Sequence, residues 1–224
     1  MQEEITEANP AKSRFSIPVL ETRWFGHVLR LLQVFLWWPI VKLISLRVVR
    51  RSHYESKLIK APGTTYIIAA NHQSAFDHFM ILATLPLSFF RQSAPYRFMT
   101  LQSYFKHFGW RVFLILCGAF PARPMHQHIY GLEASQRFLK LGQTVLIFPE
   151  GTRTYPRKAP ARSGVTVLAQ MQNVMVIPAR IQWYKRSRWN RSCTVSLGTS
   201  FKADTMDAEE ILDRIYALPP AVVK

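Results

Sequence analysis

Thr65-Tyr66-Ile67-Ile68-Ala69-Ala70-Asn71-His72-Gln73-Ser74-Ala75-Phe76-Asp77 is the stretch on which the fold turns. An apolar run of strand length stops at an amide, a polar turn follows, and residues 76–87 return to a helical pattern. The arrangement recurs. Val145 to Phe148 is a second buried-strand run, halted by Pro149 and followed by Glu150-Gly151-Thr152-Arg153. Residues 65–70, 97–100, 112–120, 144–148, 174–181 and 194–197 read as strands. Residues 129–141 (closed by Gly142) and 164–172 read as helices, and Asp207, Glu209 and Glu210 open a last one with acids at its favourable end. Such alternation predicts an α/β domain with a mixed, mostly parallel sheet flanked by helices.

At 224 residues the chain can bury an extensive core, and 49% hydrophobic content excludes a disordered class. Lys and Arg number 29 against 13 acids, a formal charge of +16, which calls for an anionic partner. Nucleic acid, anionic lipid headgroups and an acidic carrier or phosphorylated cofactor all qualify. Six Trp and fifteen Phe, many of them in the first fifty residues, favour a membrane surface and argue against nucleic acid. Cys117 and Cys193 stand apart, so neither a disulfide framework nor a zinc site is supported.

Residues 1–20 read as a loose arm, 21–60 as a membrane-associated helical segment and 61–224 as the main domain. Within residues 24–49 the charge-free stretch from Leu31 to Val41 is too short for a comfortable bilayer crossing. His27, Arg30 and Gln33, then Lys42 and Ser45, fall three apart and draw a narrow polar stripe on a helix that Pro39 should kink. An amphipathic helix lying in the membrane plane fits, with Trp24, Trp37 and Trp38 at headgroup depth and Arg47, Arg50 and Arg51 near lipid phosphates. A spanning helix with snorkelling charges is the rival. The expected location is the cytoplasmic face of the cell (inner) membrane.

His72 and Asp77 are five residues apart, which on one continuous helix would leave them about 140° apart around the axis. With His72 in the loop after the strand and Asp77 in the first helical turn, capped by Ser74, the carboxylate can reach back to the imidazole. Asp77 then fixes the tautomer and His72 serves as general base toward a hydroxyl. No Gly-x-Ser-x-Gly elbow is present, so direct attack by the hydroxyl on an activated acyl group is the simpler route. Gly151 permits close backbone approach, Arg153 offers a planar fork for phosphate, and backbone N–H groups near Gly151 are the candidate oxyanion donors.

Two further patterns invite other readings. His126 and His128 alternate, but no third ligand of suitable spacing accompanies them, and no metal site is expected. Lys185, Arg186, Arg188 and Arg191, interleaved with Trp183, Tyr184 and Trp189, suggest a hairpin facing lipid or an acidic carrier in preference to nucleic acid.

The Asn-His-x-x-x-x-Asp block and the Phe148-Pro149-Glu150-Gly151-Thr152-Arg153 block, in this order, resemble those of the glycerolipid (lysophosphatidate-type) acyltransferase family. Gly118-Ala119-Phe120-Pro121-Ala122-Arg123 is similar to its middle motif and Val176-Ile177-Pro178 to its fourth, so the likeness covers residues 64–182. The resemblance implies a glycerol-3-phosphate acyltransferase-like fold and acyl transfer from an acyl-CoA or acyl-ACP thioester to a lysophospholipid. No cofactor is needed beyond that co-substrate. It implies His72 as base with Asp77 orienting it, Glu150, Gly151, Thr152 and Arg153 lining the acceptor site, and Arg123 binding acceptor phosphate. Thr100 and Leu101 stand near where the family often has lysine, and Ala122 replaces a frequent acid. Lysophosphatidate and other lyso-lipids, including a lyso-aminolipid, therefore both stand as acceptors, and a non-catalytic basic membrane-binding protein is the alternative from another class.

Overall fold

The computed structural model of the chain describes residues 18–122, 129–154, 158–185 and 191–219. Thr22 caps a helix, accepting from the Phe25 N–H at 3.2 Å, and the helix α1 runs Arg23–Val48. Strands β1 (Val49–Tyr54) and β2 (Thr65–Ala70), helices α2 (Asp77–Thr84) and α3 (Leu87–Ser93), and β3 (Tyr96–Leu101) follow. Then come α4 (Phe108–Cys117), β4 (Ala119–Ala122), α5 (Ile129–Lys140), β5 (Thr144–Ile147), α6 (Gly164–Ala169), β6 (Val174–Lys185), β7 (Arg191–Leu197) and α7 (Ala208–Ala217).

The strands form one seven-stranded sheet in the order β1-β7-β6-β2-β5-β3-β4. Only the β6–β7 pair is antiparallel, so the sheet is mixed and mostly parallel, as the alternation predicted. Every residue of β2 is buried, because helices cover both faces of the sheet. Tyr66, Ile68 and Ala70 meet a cluster that includes Ile81 of α2 and Phe89 of α3, while Ile67 and Ala69 meet Phe138, Leu168 and Ile211 of α5, α6 and α7. The placement that matters for function is that β2 and β5 are parallel neighbours, with Ala69 opposite Ile147. The loops beginning at Asn71 and Phe148 therefore leave the same end of the sheet, side by side.

Several elements depart from the sequence reading. Residues 112–120 are not one strand: α4 ends at Gly118, whose φ of 100° suits a residue without Cβ, and only then does β4 begin. An apolar run with no clear period cannot separate strand from helix. The expected helix over 76–87 is split, because Pro86 lacks an N–H and holds Leu85 extended. Strand β1 falls inside the segment read as helical. All but its first residue are exposed, and edge strands of this kind carry charge, here Arg50 and Arg51, in place of an apolar alternation.

The largest departure concerns α1. Gln33, Lys42 and Ser45 of its polar stripe face the protein beside buried Phe25, Leu29 and Val34, while His27 stays exposed and much of the remaining apolar surface faces outward. Buried Gln33 behaves like a short strand: its amide donates to the Tyr96 carbonyl (2.9 Å) and the Cys117 carbonyl (3.1 Å) and accepts from the Tyr96 N–H (2.7 Å). Arg30 and Lys42 likewise donate to the Arg91 and Ala83 carbonyls, both at 3.0 Å. A π-helical turn, Gln33–Trp37, precedes Pro39 and accommodates the missing N–H. Trp37 and Trp38 pack edge-on and tilted against Phe113 and Phe90. Among the apolar residues α1 leaves uncovered are Phe35, Leu43 and Leu46, which are 70%, 69% and 70% exposed, and α4 adds Phe108 at 73% and Trp110 at 59%.

Candidate active site

His72 sits in the loop after β2 and Asp77 is the first residue of α2. Their side chains meet, with Nδ1 of the imidazole 2.9 Å from Oδ2 of the carboxylate. A carboxylate can only accept, so Nδ1 carries the proton and Nε2 presents its lone pair. Asp77 is fully buried and is held by more than the histidine. Oδ2 also accepts from the N–H groups of Gln73 (2.6 Å) and Ser74 (2.8 Å), and Oδ1 accepts from the indole N–H of Trp183 on β6 (2.6 Å).

The expected Ser74 cap is replaced by this arrangement. Phe76 stands at the cap position without a side-chain bond to the helix, and Ser74 Oγ accepts instead from the Phe76 N–H at 3.3 Å. The Asp77 carboxylate turns back to gather the loop amides itself. Asn71, buried at the strand end, ties the loop to β6 by exchanging bonds with Ile181: Nδ2 to the carbonyl at 2.9 Å and N–H to Oδ1 at 2.8 Å. Gln73 adds a third tie, its Oε1 accepting from the Trp183 N–H at 3.0 Å.

The second block interlocks with the first. Glu150 is buried, and its Oε2 accepts the His72 N–H at 3.0 Å while Oε1 accepts from Tyr216 Oη at 2.8 Å and the Ala159 N–H at 3.2 Å. The loop then returns: the Thr154 N–H donates to the His72 carbonyl at 2.8 Å. Phe148 completes the grip by stacking on the imidazole, with centroids 4.0 Å apart and planes 16° from parallel. His72 is thus fixed through its backbone, its Nδ1 edge and one ring face, and its side chain stays 19% exposed.

Thr152 and Arg153 are exposed in this loop, just before Thr154, which binds the His72 carbonyl. Gly151 adopts φ 66°, and the Arg162 side chain lies across it where a Cβ would stand, so any other residue would displace that guanidinium. Gly151 does not offer its own N–H to a substrate, because that group donates to the Phe148 carbonyl at 2.9 Å. Among the described residues, the Thr152 and Arg153 N–H groups have no such partner. Arg123, His126 and His128 lie outside the described residues.

Trp183, Tyr216 and Gln73 were not singled out as site residues from sequence. Trp183 was grouped with the basic hairpin, yet its indole is committed to Asp77. Burial pushes the thiols of Cys117 and Cys193 up to about 12, which removes both as nucleophiles at neutral pH. His78, next to the dyad, is held neutral with a pKa of about 3 by burial first and by the nearby His72 second, and it stacks on Phe98 at 4.0 Å.

Trp183→Phe removes one donor to a buried carboxylate while keeping an aromatic, though smaller, ring in its place. A fall of about tenfold in kcat with little change in KM is expected, measured by steady-state kinetics on a folded variant.

A family model described as Acyltransferase matches residues 46–182. Among solved structures, the crystal structure of the 1-acyl-sn-glycerophosphate (LPA) acyltransferase PlsC from Thermotoga maritima is similar in fold. The TM-score is 0.53 at 18% sequence identity, over 88% of this chain and 90% of that one. No curated protein matches significantly.

Proposed function

The chain belongs to the acyltransferase family, and from that premise we propose that it transfers a fatty acyl group from an acyl-CoA or acyl-ACP thioester to the free hydroxyl of a lysophospholipid, most simply 1-acyl-glycerol-3-phosphate, giving phosphatidate. The observation that carries this reading is the single free nitrogen of His72, aimed by a buried carboxylate and left open at the end of the sheet. Nε2 takes the proton as the acceptor oxygen attacks the thioester carbonyl, forming the new C–O bond. The tetrahedral intermediate then collapses, the C–S bond breaks, and His72 returns the proton to the departing thiolate. Asp77 stabilises the imidazolium in between and does not itself change protonation.

The N–H groups of Thr152 and Arg153 are the donors available for the oxyanion. Arg153 and Arg123 serve the acceptor phosphate, and Arg162, lying across Gly151, adds positive charge on the same side. Glu150 acts as a brace for His72 and not as a contact to the acceptor, since both its oxygens are engaged with the protein. The outward apolar sides of α1 and α4 rest in the outer layer of a bilayer, on the face that receives soluble thioesters. Helix α1 is long and apolar enough to cross, but Arg30, Gln33 and Lys42 bind it along the domain, which supports the in-plane arrangement.

Incubation of the purified protein with a mixed lysolipid pool and both donor types, followed by lipid mass spectrometry, tests the assignment. A diacyl phosphatidate product supports it; acylation of another lyso-lipid alone, the outcome favoured by Ala122 and Thr100, moves the acceptor. Arg153→Ala is expected to raise the acceptor KM by about tenfold or more with a smaller change in kcat, read from acceptor titrations.

A further inference from the structure

Three cations gather at the carboxyl end of α3. Arg30 donates from Nη2 to the Arg91 carbonyl at 3.0 Å, Lys60 donates from Nζ to the Gln92 carbonyl at 2.9 Å, and Arg91 itself borders the notch between this helix and α1. Part of this is an ordinary helix terminus, where about half a negative charge attracts cations. The excess is large: three positive charges face that half charge, and among the described residues no carboxylate pairs with any of them. The repulsion is felt, because the Lys60 ammonium is held below its usual pKa by burial first and by Arg30 second. Each cation also keeps unused donors, since Arg30 spends one of five.

Directly beside them lies an apolar notch of about 200 Å³ between α1 and α3, lined by Val34, Phe35, Trp38, Pro39, Leu87 and Arg91. Phe35 and Leu87 are exposed, and the notch opens onto the outward apolar side of α1. We propose that Arg30, Lys60 and Arg91 hold the phosphate of one anionic membrane phospholipid whose acyl chain lies in this notch. Positive charge at one end and hydrocarbon along the rest match a phospholipid, whereas a soluble phosphate would leave the notch unfilled and a neutral lipid would leave the charges unpaired.

The site is separate from the catalytic one. Lys60 precedes β2 and α3 precedes β3, while His72 follows β2, so the two lie at opposite ends of the parallel strands, roughly 20 Å apart for a six-residue strand. The bound lipid anchors the protein at a second point and favours anionic bilayers. This inference rests on the membrane association proposed above and not on the acyl-transfer chemistry.

Co-sedimentation with vesicles of pure phosphatidylcholine and of an equimolar phosphatidylcholine–phosphatidylglycerol mixture separates the two. Wild type should bind both, and anionic lipid should strengthen binding by about tenfold. Arg30→Gln with Arg91→Gln, and separately Leu87→Trp to fill the notch, should each remove most of that gain while leaving binding to pure phosphatidylcholine and turnover of micellar lysophosphatidate within about twofold. Lys106→Gln with Arg111→Gln, an equal charge loss at two exposed positions in and just before α4, should keep most of it. An undiminished gain in both notch variants, or an equal loss in the Lys106/Arg111 variant, overturns the site. Failure of wild type to bind either vesicle overturns the membrane reading beneath it, and absent turnover with the lipid preference intact counts only against the proposed reaction.

Discussion

Replacement of His72 by alanine is expected to lower kcat by about a hundredfold to ten-thousandfold, the usual contribution of a general base, with vesicle binding unchanged. The loss should fall on kcat and kcat/KM alike, because Nε2 acts on the proton that moves in the transition state and not on acceptor binding. The fold should persist. The backbone bonds that pin this residue, from its N–H to Glu150 and from Thr154 to its carbonyl, survive the substitution, and Asp77 keeps its other three donors when the ring stacked on Phe148 and its Nδ1 bond are lost. Residual turnover would come from positioning and oxyanion donors. Retained wild-type turnover in a folded His72→Ala protein removes His72 from the chemistry.

Asp77→Asn should be nearly as severe and for a different reason. The carboxylate satisfies three donors on Oδ2 and the indole on Oδ1, so four N–H groups converge on two acceptor oxygens. An amide supplies one acceptor. If its oxygen faces His72, its NH2 meets the Trp183 N–H with no acceptor between them. If it turns the other way, the NH2 faces Nδ1, the imidazole takes the other tautomer, and Nε2 carries a proton it cannot use as a base. A fall in kcat of about a hundredfold to ten-thousandfold is expected, unrescued by higher pH. The unsatisfied buried donor costs about 1–3 kcal/mol, which for a protein of this size lowers Tm by several degrees. A folded Asp77→Asn protein with wild-type kcat contradicts the orienting role.

These effects rank the dyad above Trp183, and that ranking shows what the sequence could and could not convey. The loop-then-helix placement of His72 and Asp77 was legible because their five-residue spacing is geometrically useless on a single helix. Trp183 and Tyr216 were not legible, since their bonds to Asp77 and Glu150 span 106 and 66 residues and depend on strand register and helix docking. Helix α1 teaches a related point. Its stripe of Arg30, Gln33 and Lys42 was visible as periodicity, but periodicity does not say which side is packed; that was decided by the Tyr96, Cys117, Arg91 and Ala83 backbone groups that the stripe satisfies. The strand expected over 174–181 runs on to Lys185, four residues further, and Trp183 lies in that extension.

Helix α1 is also connected through the sheet to the segment that carries Arg123. Gln33 holds the first residue of β3 and the turn into β4, and β4 leads into the segment that carries Arg123. Burial of Gln33 therefore joins α1 to the strand pair that leads to the expected phosphate-binding arginine.

In the proposed reaction a hydroxyl activated by His72 attacks the thioester directly. The most direct test of that attack is release of free thiol from an acyl thioester, followed by rapid quench at enzyme concentrations near those of the donor, with and without 1-acyl-glycerol-3-phosphate. The account predicts thiol release only when the acceptor is present, one diacyl product per thiol, and no burst before it. A stoichiometric burst of thiol without acceptor, leaving acyl groups on the protein, contradicts it.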